Sequence, residues 1–113
     1  KGALAWAEKA VQRSPRQAAY RELIGSVLWQ LAGIEYSHER YQESLEQYRI
    51  STELYPTSHE MWRGYGEKLL LFADALEETG DVDEAETYRA EGELAVQHAG
   101  LFPPRRPGAE RVL

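Results

Sequence analysis

Three histidines, His38, His59 and His98, and a dense run of carboxylates between Glu77 and Glu93 are the residues of this sequence best suited to chemistry. Neither set has the spacing that a reaction or a metal would need. A helical metal site wants a second ligand one turn further along the same face, and Gln42, Arg63 and Phe102 stand four residues after the histidines. The acidic run (Glu77, Glu78, Asp81, Asp83, Glu84, Glu86, Glu91, Glu93) is opposed only by Arg89. It is not a calcium loop, because a loop beginning at Asp81 would put Glu86 at the glycine position and Gly92 at the bidentate glutamate. Its simplest reading is a solvated face near a helix N-terminus, and its sharper one a docking patch for a basic partner. No cysteine is present, so a thiolate nucleophile, a thiolate zinc site and a disulfide are all excluded. No nucleophile elbow, Ser-His pair, catalytic carboxylate pair or phosphate-binding glycine loop can be assembled. The expectation is a protein that is not an enzyme and uses no cofactor.

What positions these residues is a small, acidic, apolar-rich chain. It has 113 residues, 19 acidic side chains against 13 basic, a net charge of -6, and 42% hydrophobic residues, enough for one domain with a core. The charge is uneven: residues 1–15 and 101–113 each hold three basic and one acidic side chain, which leaves -10 on the body between them. An acidic body argues against nucleic acid or an anionic membrane as partner and leaves basic or apolar proteins and peptides. The longest apolar run, Leu69-Leu70-Leu71-Phe72-Ala73, is too short to span a membrane. The absence of cysteine fits a reducing compartment, and a cytoplasmic location is expected. The chain opens at Lys1, inside what reads as a helix and without an initiator methionine, so it reads as a fragment.

Apolar residues follow helical rather than alternating spacing throughout, which predicts an all-α chain without a sheet. Five helices are expected, over Ala3 to Ser14, Gln17 to Ser37, Glu39 to Tyr55, Ser58 to Thr79 and Val82 to Ala99. Ser14, Ser58 and Asp81 are the candidate N-caps, Gly80 breaks the chain before Asp81, and Gly100 is a candidate C-cap. After Gly100 the composition changes to a Pro- and Arg-containing tail, 101–113, in which Leu101 and Phe102 are expected to fold back on the last helix pair. Pro104 and Pro107 bracket Arg105 and Arg106 in a P-x-x-P spacing that could meet an SH3-like groove, although so short a pattern arises often by chance.

Pro15 and Pro56 lie 41 residues apart, and sliding the chain by that offset superposes Ile24 on Tyr65, Gly25 on Gly66, Leu28 on Leu69, Leu31 on Phe72 and Ser44 on Ala85. Trp62, Tyr65, Gly66 and Leu69, followed by Gly80 and Ala85, resemble the tetratricopeptide repeat, a pair of antiparallel helices that stacks into a superhelix. Tyr41, Ser44, Leu45, Tyr48, Ser51 and Pro56 match the second-helix positions of an earlier unit, and Ala3, Leu4, Trp6, Ala10 and Pro15 match them again. Two departures stand out. The offset is 41 residues against about 34 in the standard unit, and about seven extra residues add two turns to each first helix without rotating its buried stripe. In the earlier unit Arg21 stands where an aromatic is expected, and Glu39 stands in place of the turn glycine. A second register, reading Trp29, Ala32, Gly33 and Tyr36 as the aromatic-to-glycine motif, needs a one-residue deletion before Tyr41.

The resemblance implies tandem antiparallel helix-turn-helix repeats over residues 1–100 and a groove lined by the first helices. Its groove positions fall on Glu22, Ser26, Trp29 and Gly33 in one unit and on Arg63, Glu67, Leu70 and Asp74 in the next. Gly25, Gly66, Trp62, Tyr65, Gly80, Ala85, Pro15 and Pro56 are then structural. The implied function is a scaffold or adaptor that binds a peptide or protein segment in the groove. The alternatives are a self-associating structural module, with exposed repeat ends joining copies, and a regulatory or docking arm of a larger protein.

Overall fold

The computed structural model describes residues 15–104, and all regular structure among them is helical. Four helices follow one another: α1 (Pro15–Glu35), α2 (His38–Leu54), α3 (His59–Glu78) and α4 (Val82–Ala99). The expected leading helix, Ala3 to Ser14, and the tail beyond residue 104 lie outside the described residues, as does the Ser14 cap. None of the described helices is long and apolar enough to cross a membrane.

Each helix begins and ends for a local reason. Ser37 and Ser58 stand at the N-caps of α2 and α3, and their hydroxyls accept from the amides of Arg40 and Met61, both at 3.3 Å. Asp81 occupies the cap position of α4 without capping through its side chain; its carboxylate accepts from the Thr79 hydroxyl at 3.2 Å instead. Gly100 sits at the C-cap of α4 in a right-handed conformation, so it does not supply the left-handed turn expected of a capping glycine.

Helices α1 and α3 both end in a left-handed turn closed by a six-to-one backbone bond, and the turn after α3 is a full Schellman motif. After α3 the Asp81 amide donates to Leu76 O at 2.9 Å and the Gly80 amide to Glu77 O at 3.1 Å, with Gly80 at φ +91°. After α1 the Ser37 amide donates to Ala32 O at 3.1 Å, and the left-handed residue is Tyr36, at φ +52°. Tyr36, not Glu39, is therefore the counterpart of Gly80.

His38 and Val82, the starts of α2 and α4, are 44 residues apart, as are the left-handed residues Tyr36 and Gly80, whereas Gly25 and Gly66 at the two tight crossings keep the 41-residue spacing. Pro15 is the first of the described residues and stands in α1. Pro56 lies in the turn after α2.

Packing follows from the stripes. Helix α1 lies against α2 and α3 against α4, and the two pairs join chiefly through α2 and α3. The core is built from Leu45 and Tyr48 of α2, Tyr65, Leu69, Phe72, Ala73 and Leu76 of α3, and Ala85 and Ala95 of α4. Phe72 is fully buried and sits among three rings: Tyr88 at 4.9 Å, Tyr41 at 5.4 Å and His38 at 5.7 Å between centroids. It thereby ties α2, α3 and α4 together, and burial of a side chain this size stabilises by about 2–3 kcal/mol.

Helix α1 contributes small residues to its contact with α2. Ala18 and Ala32 are fully buried, and a Cβ on Gly25 would lie 2.9 Å from the Tyr48 ring and 3.2 Å from Ser44 O. At that crossing the Ser44 hydroxyl donates to Gly25 O at 2.5 Å. The α3/α4 crossing is a glycine pair, Gly66 against Gly92, closer to backbone-on-backbone contact.

Candidate functional site

The structure leaves an open cleft of about 530 Å³ between α1 and α3. Ala19, Glu22, Leu23 and Ser26 form one wall, and Gly64, Glu67, Lys68 and Leu71 the other. Both walls use the spacing i, i+3, i+4, i+7, which is a single helical face. The cleft exists because α1 and α3 each spend their tightest contact on a hairpin partner and touch one another little. Tyr48 of α2 closes its floor, pinned under Gly25.

The cleft is apolar at its lips and charged below. Leu23 and Leu71 are 60% and 50% exposed, unusual for leucines that face one another across a groove. Glu22 lies half-buried near Gly64, and among the described residues it has neither a hydrogen bond nor an ion pair. Burial, reinforced by Glu60, raises its carboxyl pKa above the usual glutamate range, while Lys68 acts the other way. Glu67 pairs with Arg63 at 3.3 Å on the open edge. The Lys68 ammonium lies 5.2 Å from the centroid of the Trp29 ring. Burial also raises the pKa of the Tyr48 phenol, and a hydrogen bond with Ser26 partly offsets it.

The eight expected groove residues divide. Glu22, Ser26 and Glu67 line the cleft. Trp29 and Arg63 border it through Lys68 and Glu67, and Trp29 also packs edge-on against Tyr41 at 4.6 Å, so it belongs to core and rim together. Gly33 is exposed and its nearest neighbour would be the Tyr41 hydroxyl. Leu70 and Asp74 point to α4: Leu70 covers Gly92, and Asp74 accepts from Arg89 at 3.0 Å. Leu71 takes the place expected of Leu70. In the run Leu69-Leu70-Leu71 each residue is rotated by about 100°, so one faces the core, the next α4 and the third the cleft.

The remaining chemistry-bearing residues have structural partners. His59 Nδ1 is 2.8 Å from Ala99 O and 3.2 Å from Phe102 O; both are acceptors, so this nitrogen carries the proton. His98 packs edge-on between Trp62, at 4.3 Å, and Phe102, at 5.4 Å, and the Trp62 indole donates to Pro56 O at 2.8 Å. Phe102 folds back as expected, whereas Leu101 stays 70% exposed. In the acidic run, Arg89 bridges Asp74 and Glu77, and Glu91 accepts from the Tyr65 hydroxyl at 3.2 Å. No group of three or more potential metal ligands occurs among the described residues.

A second, smaller hollow of about 290 Å³ lies between α2 and α4, with Tyr65 and Leu69 at its base. Its cation, Arg49, is already engaged by Glu46 and Glu53, and that pairing holds the Glu46 carboxyl below its usual range. The α1/α3 cleft is thus the better candidate, with exposed leucines and a carboxylate that, among the described residues, makes no hydrogen bond or ion pair. Compared with protein-family models, curated proteins and solved structures, the chain matches none of them.

Proposed function

We propose that this chain is a non-catalytic protein-interaction module, a short tetratricopeptide-like array of helix pairs that binds a peptide or protein segment in the α1/α3 cleft. The observation that carries this reading is the pair of exposed leucines, Leu23 and Leu71, facing one another from matching helical faces across an open groove. An apolar groove of this form suits one or two anchoring side chains from a helix or an extended segment. Leu23→Asp and Leu71→Asp are expected to abolish binding of partner segments selected on the wild-type chain while the circular-dichroism melting curve stays within a few degrees of wild type. Loss of folding in both variants would remove the cleft from consideration.

Self-association is the second reading, and α1 supplies its support. Tyr20, Leu23, Val27, Leu31 and Ile34 form one exposed stripe along this helix, on the side away from α2. Light scattering over a range of concentrations separates the two readings: a constant monomeric mass disposes of self-association.

A further inference from the structure

The charges in the α1/α3 cleft indicate what kind of segment it takes. Of the cations near the groove, Arg63 is paired with Glu67 at 3.3 Å, while Lys68 lines the cleft 5.2 Å from the Trp29 ring and attracts Glu22 from there. Glu22, half-buried beside Gly64, makes no hydrogen bond or ion pair among the described residues. The charged groups that act on it are Glu60, of the same sign, and Lys68, and burial together with Glu60 outweighs Lys68. Above it stand Leu23 and Leu71.

Building on the groove reading above, we propose that the bound segment is cationic and apolar, with one lysine or arginine pairing with Glu22 and flanking bulky side chains seated on Leu23 and Leu71. The alternatives fail on charge. A purely apolar segment would cover the Glu22 carboxylate and leave it without a partner, which is the costly arrangement for a desolvated charge. An acidic segment would meet Glu22, on which burial and Glu60 already outweigh Lys68, in a cleft whose other carboxylate, Glu67, is balanced by Arg63, within a chain of net charge -6. A cation answers both problems, and its attraction is strengthened by the partly water-excluded surroundings. The acidic body of the chain also steers a basic segment toward the groove.

The test is selection of random short peptides displayed on phage against the immobilised full chain. The enriched consensus peptide is then titrated by fluorescence anisotropy against wild type, Glu22→Gln, Glu22→Lys and Leu71→Asp, each checked for folding by its melting curve. The expected consensus holds Lys or Arg beside Leu, Ile, Phe or Trp. Glu22→Gln is expected to weaken its binding about tenfold and to flatten its dependence on salt. A peptide with Glu in place of that basic residue is expected to regain affinity on Glu22→Lys, which keeps the test informative should the neutral variant fold poorly. A consensus without a basic residue, or one bound equally by Glu22→Gln, yet lost on Leu71→Asp, overturns the cationic assignment and leaves the groove reading in place. No enrichment, or binding indifferent to Leu71→Asp, overturns both.

Discussion

Glu22 and the glycines at the helix crossings show how single atoms set the energetics here. A carboxyl whose pKa is raised on folding takes up protons in the folded state before the unfolded chain does. Stability therefore falls as pH rises through the window between the usual glutamate range and the raised folded value, and the deficit is fully present above that raised value. Glu22→Gln is accordingly expected to melt above wild type at pH above that value, with the gain vanishing once acid protonates Glu22 in both states. A pH series of thermal melts checks this, and a gain that persists in acid would contradict it. The glycines separate by what a methyl would strike. At Gly66 a Cβ would lie 2.9 Å from both Gly92 O and Val96 N, atoms that move only if the helices part. At Gly64 it would meet the end of the Glu22 side chain at 3.2 Å, which can swing aside. Gly66→Ala should destabilise by about 1–3 kcal/mol. Gly64→Ala should be neutral or stabilising by up to about 1 kcal/mol, since alanine favours helix over glycine. Denaturant titration distinguishes these outcomes, and equal effects would show that the α3/α4 crossing is looser than described.

At the scale of the element, the two left-handed turns make a matched experiment. Tyr36 adopts a left-handed conformation that costs a non-glycine residue about 1 kcal/mol, and at 91% exposure its ring gives up almost no packing when removed. Tyr36→Gly is therefore expected to raise stability by about 0.5–1 kcal/mol. Gly80→Ala, at φ +91° in open space, should lower it by about 1 kcal/mol through backbone strain alone. Equal and same-signed effects on the denaturation midpoint would refute the turn assignment. The caps divide similarly: Ser58→Ala removes an accepted amide bond at a buried position and should cost about 1 kcal/mol, whereas Asp81→Ala, with no capping bond to lose, should cost less.

Across the whole molecule, burial is uneven. Large buried core side chains come from α2 and α3, while α4 contributes Ala85, Ala95 and the partly buried Tyr88, and α1 the fully buried Ala18 and Ala32, the tight approach of Gly25 and the half-buried Trp29. Fewer buried apolar atoms mean a lower free energy of local opening. Native-state hydrogen exchange should find the amides of α1 opening at lower free energy than those of α3, and protection of α1 equal to that of α3 would contradict this. A helix held mainly by small residues on one side, with exposed apolar residues on the other, is also the element a bound segment would rigidify most. The same exchange experiment with a saturating bound peptide therefore reports on both stability and docking.

Helix identity was legible in the sequence. The stripe Tyr65, Leu69, Phe72, Leu76 repeats at helical spacing, and Ser58, Gly80 and Asp81 mark ends to within a residue or two, because caps and apolar periodicity are local properties of the chain. The offset between helix pairs was not. A shift of three residues moves a helical stripe by less than a full turn and still lays large residues on large ones, so periodicity alone accepts 41 as readily as 44. The left-handed Tyr36, where no glycine marks the turn, sets the two turns 44 residues apart, while the crossing glycines Gly25 and Gly66 stay 41 apart. The cleft shows the same division. Glu22, Ser26 and Glu67 could be placed from sequence, but adjacent leucines are equivalent there, and the distinction between Leu70 and Leu71 arises only when α4 covers one face of α3 and α1 stands off from the other. Local chain chemistry determined which segments are helices and where they stop. Which face of each helix is covered depends on residues distant in sequence, and that was decided by tertiary packing.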